Sequence, residues 1–256
     1  MAELQGDLGK YLSGMPVTVA GANVAISQPS IKDICAFGED SFLMSIELFV
    51  KAKELAAEMK NVGKSQLGYM DDFQILLVII QQDENTKRNV DNLFGLIFPN
   101  YIIEYDAGCI NFRVQENGPI VGQLNPMNFE NFRITLKELF LPVGTDKYEE
   151  EFNPANDAAA EIAAKLQRGR EIRNQIKSDK DKKKANSIFG NYASALSIGL
   201  AIDINVIYNY TPFQLFDSIK RYTIKMAYDL YQKVATTPMM DVSKMDEPDN
   251  WMDGIY

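Results

Sequence analysis

The sequence predicts an α+β protein, mainly α, whose small antiparallel sheet consists of a hairpin and a three-stranded meander and whose C-terminal part is helical. Three observations lead there. Apolar residues recur at helical spacing through most of the chain. In two stretches, 17–26 and 101–124, the spacing shortens to that of strands, with turn residues between the runs. A polar run, "GTDKYEEE" at 144–151, then separates this mixed part from a stretch with helical spacing alone. The expected organisation is an α+β domain over 1–145 and a helical domain over 150–256 that ends in an acidic tail, 238–256.

The elements follow in order. "VTVAGANVAI" at 17–26 alternates around Gly21, Ala22 and Asn23, a hairpin pattern. Pro29 stops the second strand, and Ser30 can cap a short helix "IKDICAF" that ends at Gly38. A longer helix from about Asp40 places Phe42, Ile46, Phe49 and Val50 on one face. "GYMDDFQILLVIIQQ" and "TKRNVDNLFGLIF" supply two more. Phe73, Leu76, Leu77 and Ile80 form the stripe of the first, with Asp71 or Asp72 in its first turn, where the helix dipole favours an anion. Pro99 closes the second. The meander over 101–124 turns at "DAG" and "ENG". "NPMNFENFRITLKELFLP" returns to helix, with Asn128 as cap and Phe129, Phe132, Leu136, Leu139 and Phe140 inward.

Beyond the polar run, Asn153 and Pro154 set a turn and Asn156 or Asp157 can cap a helix. Its seam is Ile162, Leu166, Gly169, Ile172 and Ile176 on an otherwise charged rod. "SDKDKKKAN" breaks it. "SIFGNYASALSIGLAI" carries Gly190, Ala193, Ser194, Ser197 and Gly199, small residues that predict tight packing. In "YTPFQLF", Thr211 caps, Pro212 takes the first helical position and Gln214 completes a capping box, with Tyr210 and Leu215 as hydrophobic staple. That helix runs through Leu215, Ile219, Tyr222, Met226 and Leu230 to Thr236, Thr237 and Pro238. The tail carries the single tryptophan, Trp251.

Composition excludes much chemistry. The chain of 256 residues has no histidine, which rules out His-dependent triads, zincins and facial-triad iron sites. Its two cysteines, Cys35 and Cys109, are far apart and imply a reducing compartment, or at least no disulfide framework. "GKS" at 63–65 has the end of a phosphate-binding loop, but Glu58 stands where that motif requires glycine. The carboxylates of "DEPDNWMDG" lack the alternating spacing of a calcium loop. No catalytic residue, cofactor or metal site is assigned, and the expectation is that the protein is not an enzyme. "ILLVII" at 75–80 is too short to span a bilayer, and the N-terminus lacks the pattern of a signal peptide.

The charge is distributed unevenly. Residues 161–184 hold nine Lys/Arg against four Asp/Glu, a net of +5, which leaves −14 for the rest of a chain whose total is −9. One reading is a nucleic-acid-binding regulator using 165–184, since clustered cations release counterions from phosphates. The segment has no aromatic residue to stack on a base, and the acidic remainder repels a polyanion. Acidic protein surface is the favoured partner, and the tail qualifies, with five acidic residues against one lysine over 238–256. The candidate protein-binding residues are Arg168, Arg170, Arg173, Lys177, Lys182, Lys183, Lys184 and Trp251.

Over residues 150–256 the elements "NPAND", "YTPFQLFD" and "NWM" resemble proteins from the tail gene module of phages of Gram-positive bacteria. "ISQPSIKDICAFGEDSFLMSIELF" near the N-terminus is a fainter echo of the same proteins. The resemblance implies tail morphogenesis without enzymatic activity, as a tail assembly chaperone or as a minor structural component of the tail tip or baseplate. It implies partners among tape measure, tube or baseplate subunits, with a second copy of the chain also admitted and no membrane. The location implied is the host cytoplasm during assembly, and the virion tail for a structural part. The chain's length and its own α+β part depart from small chaperones and favour the structural role.

Overall fold

A computed structural model of the protein describes residues 7–58, 69–106, 108–141, 187–237 and 250–252. The fold is α+β, with a two-stranded antiparallel hairpin, a three-stranded antiparallel sheet and C-terminal helices.

A short first helix, α1 (Leu8–Ser13), has no counterpart in the sequence reading. Asp7 caps it by accepting from the amides of Gly9 and Lys10, and Gly14 ends it at φ 70°. It buries only Tyr11, so it shows no apolar stripe to detect. The hairpin is as expected: β1 (Val17–Val19) pairs antiparallel with β2 (Val24–Ile26), Val17 opposite Ile26. Ser30 and Asp33 then form a capping box at the start of α2 (Ile31–Phe37). Gly38, at φ 108°, separates it from α3 (Glu39–Val50), and α4 (Ala52–Glu58) follows.

Helix α5 (Asp72–Gln82) starts at Asp71, which shares a capping box with Gln74. The expected stripe is buried, but so are Ile75 and Ile79, which makes this helix apolar on nearly every side. Helix α6 (Glu84–Ile97) starts at Asp83, whose carboxylate accepts from the amides of Asn85 and Thr86. The Thr86 hydroxyl and these amides hold that carboxyl below its ordinary range.

The meander comprises β3 (Ile102–Asp106), β4 (Cys109–Arg113) and β5 (Ile120–Leu124), with an irregularity at Phe112 and Arg113. Ile110, Phe112 and Leu124 enter the core. Gly122 stands opposite Phe112, where the hairpin turn approaches closely. A Cβ there would meet Val24, and would lie 2.7 Å from the carbonyl oxygen of Ala22. The Gln123 amide donates to that same carbonyl at 2.9 Å, which ties the hairpin to β5.

Helix α7 (Phe129–Phe140) buries Phe129, Phe132, Leu136, Leu139 and Phe140, as its spacing predicts. Asn128 occupies the cap position without capping. Its buried amide donates to the carbonyls of Gly21 and Gln123 at 2.9 and 2.8 Å, and its oxygen accepts from the Asn125 amide. A buried amide must satisfy two donors, and the hairpin turn offers acceptors where a helix N-terminus offers none.

The C-terminal elements are α8 (Ile188–Leu200), α9 (Ile204–Ile207) and α10 (Pro212–Ala235). They meet the rest through helix ends. The Ile31 and Lys32 amides, which open α2 and have no acceptor within it, donate to the carbonyls of Tyr210 and Tyr208 at 2.8 and 2.9 Å. Glu39 accepts from the Ser187 hydroxyl and from the amides of Ile188 and Phe189, so a carboxylate of α3 caps α8. One continuous set of buried side chains runs from Tyr11 through the phenylalanines of α3, α6 and α7 to Phe213 and Leu215.

Candidate protein-binding surface

Helix α10 starts in the core. Thr211 and Gln214 form the expected capping box with Pro212 at the first position, and Phe213 and Leu215 are buried. The Tyr11 ring meets Phe213 edge-on at 5.1 Å, and its hydroxyl donates to Glu138 of α7 at 2.6 Å. Burial, and then the Glu138 carboxylate, push the Tyr11 phenol well above its ordinary value. The Gln214 amide donates to the Leu12 carbonyl at 2.7 Å, so α1 locks the first turn of α10.

Helix α8 lies against the next turns, running in the same direction. Phe189 and Tyr192 meet Phe216 at 5.8 and 5.9 Å, and Gly199, ten residues beyond Phe189, lies against the Tyr222 ring. A Cβ on Gly199 would run into that ring. The expectation of tight packing holds at Ala193 and Gly199, whereas Ser194 faces outward.

Helix α8 stops at Leu200, and α10 continues for thirteen residues beyond Tyr222, about 20 Å. None of its residues after Asp217 is buried. The continuation is nevertheless rich in apolar residues: Ile224, Met226, Tyr228, Leu230, Tyr231 and Val234. Met226 and Leu230 are 55 and 59% exposed, and Ile198, beside Gly199 on α8, is 81% exposed. Met226 and Leu230 lie four residues apart on one face, and neighbouring exposed apolar side chains mark a candidate interaction surface.

Residues 217–235 carry four Lys/Arg and two Asp, and both aspartates are ion-paired. Lys225 pairs with Asp229 at 2.6 Å, and Arg221 with Asp217 at 3.1 Å. Arg221 also donates to the Trp251 carbonyl at 3.0 Å, which places the half-buried Trp251 on α10. The other sequence candidates, Arg168, Arg170, Arg173, Lys177, Lys182, Lys183 and Lys184, lie outside the described residues, as do the seam over 162–176 and the "GKS" at 63–65. Sequence reasoning missed Arg221, Asp217 and Glu39. An Asp and an Arg at i, i+4 on a helix were the visible signal for the first two; Glu39 gave none, because its partners lie 148 residues and more away.

Elsewhere the described residues offer little chemistry. No group of three or more metal-ligating side chains occurs among them, and none of their helices is long and apolar enough to cross a membrane. The Cys35 thiol is pushed up by burial and then by Glu39, away from nucleophilic character. A cavity of about 340 Å³ lies between the hairpin turn and β5, lined by Asn23, Gln123 and Asn125 among others. Their amides are engaged: Asn23 donates to the Val121 carbonyl, Gln123 to Asn111 and Asn125 to Gln123. No family model, curated protein or solved structure matches the chain.

Proposed function

We propose that this chain is a non-enzymatic phage tail-morphogenesis protein that works by binding other tail proteins. It serves as a minor structural component of the tail tip or baseplate, or as a tail assembly chaperone. The observation that carries the binding role is the second half of α10, where Met226 and Leu230 are exposed past the end of α8. Exposed apolar side chains one turn apart on an amphipathic helix are the anchors that helix-in-groove recognition uses. The phage context rests on the resemblance of 150–256 to tail-module proteins, which includes the "YTPFQLFD" that starts this helix. Tape measure, tube or baseplate subunits are the partners proposed, with assembly in the host cytoplasm.

Quantitative mass spectrometry of purified particles beside the lysate of producing cells tests this. Fixed stoichiometry in particles means a built-in component. Abundance in lysate, bound to a tail protein and absent from particles, means a chaperone. A chain that is abundant in lysate, absent from particles and bound to no tail protein contradicts the proposal.

A further inference from the structure

Beyond Asp217, helix α10 has two unlike flanks. Asp217, Arg221, Ile224 and Tyr228 fall at i, i+4, i+7 and i+11 and share one row. Ile224 and Tyr228 are half-buried, while Met226, Ala227 and Leu230 on the other side are exposed. The row meets residues 250–252 at its upper end. There the Arg221 Nη1 donates to the Trp251 carbonyl at 3.0 Å, while its Nε donates to the Asp217 carboxylate at 3.1 Å. Asp217 is only 5% exposed, and its carboxylate holds the Arg221 Nε, which orients the guanidinium and leaves its terminal N–H groups for other acceptors.

We propose that Asp217 and Arg221 form a clasp that holds residues 250–252 of the same chain at the head of this row, so that a partner meets the Met226 and Leu230 flank. Closure within one chain is within reach. The fourteen residues from Thr237 to Trp251 can extend about 45 Å, and the return along the helix to Arg221 is about 24 Å. The proposal deepens the protein-binding reading by naming the flank left to the partner, and to that extent rests on it. The clasp itself is tested without a partner, so either can fail alone.

Trp251 is the single tryptophan, so its emission and acrylamide quenching in the full chain report the clasp directly. The wild type is expected to shield Trp251 relative to the same chain in denaturant. Arg221→Ala moves emission and quenching towards the denatured values while far-UV circular dichroism keeps its helical signal. The ratio of closed to open chains falls about tenfold, the share of one charge-assisted hydrogen bond. Arg221→Lys keeps the charge and stem, loses the fork, and gives a smaller shift; it serves alone where the alanine variant fails to fold. Val114→Ser, at an exposed position just past β4, changes nothing. A tryptophan as accessible in the folded wild type as in denaturant, or unmoved by both Arg221 variants, overturns the proposal. Shielding lost on dilution would put the tail on a second copy and overturn closure within one chain.

Discussion

The two ends of helix α10 share one pattern and meet different fates. Both halves carry apolar residues at helical spacing and charges between them. In the first turns Phe213 and Leu215 are buried, the capping box is complete, and α1 and α8 supply neighbours. In the last turns Met226 and Leu230 face outward. Amphipathicity says that a helix needs a partner, and tertiary structure decides whether the partner is in the same chain. The exposed Met226 and Leu230 are what the proposed binding role rests on.

The comparison breaks most visibly at the buried end. Phe213→Ala is expected to cost about 3–5 kcal/mol, the usual range for removing a buried ring, measured as a shift in urea midpoint. Gly199→Ala tests the joint between the halves, where the added methyl would meet the Tyr222 ring. Because Gly199 is exposed, the ring tip can shift and Ala is the better helix former, the net cost is expected to stay at about 1 kcal/mol, with packing of α8 on α10 loosened.

Tyr11→Phe removes the hydroxyl that ties α1 to Glu138 beneath the buried end, at about 1 kcal/mol at neutral pH. Because the folded phenol has its pKa raised above the ordinary value, its stabilising contribution is complete below that value, near 10, and is lost as pH rises further. Stability against pH above 10 is therefore expected to fall less steeply in Tyr11→Phe than in wild type. The smallest effect on stability belongs to the free end: Leu230→Ser is expected to stay within about 0.5 kcal/mol of wild type. It should nevertheless reduce recovery of the chain with tail proteins.

Much of this fold was legible because local signals agreed with tertiary structure. Ser30 and Thr211 cap as their spacing predicts, Asp72 falls in the first turn of its helix with Asp71 as the cap before it, and both sets of strands turn at the expected glycines or asparagine. The misses have physical causes. Helix α1 buries one side chain and so has no period to read, and Asn128 abandons its cap for carbonyls brought near by the hairpin turn. Of the candidate site, the basic residues of 165–184 drew attention by charge, whereas the described surface is apolar and lies on α10. Met226 and Leu230 read as core positions, because their spacing continues that of Leu215 and Ile219 without interruption. Exposure there depends on where α8 ends, which periodicity along α10 does not encode.

Site-specific photo-cross-linking tests the central claim most directly. A photoreactive amino acid placed at Leu230, and separately at the equally exposed Val114, would be activated in cells assembling tails. The account predicts an adduct with a tail protein from position 230 and none from 114. Equal adducts from both positions, or none from 230, would contradict it.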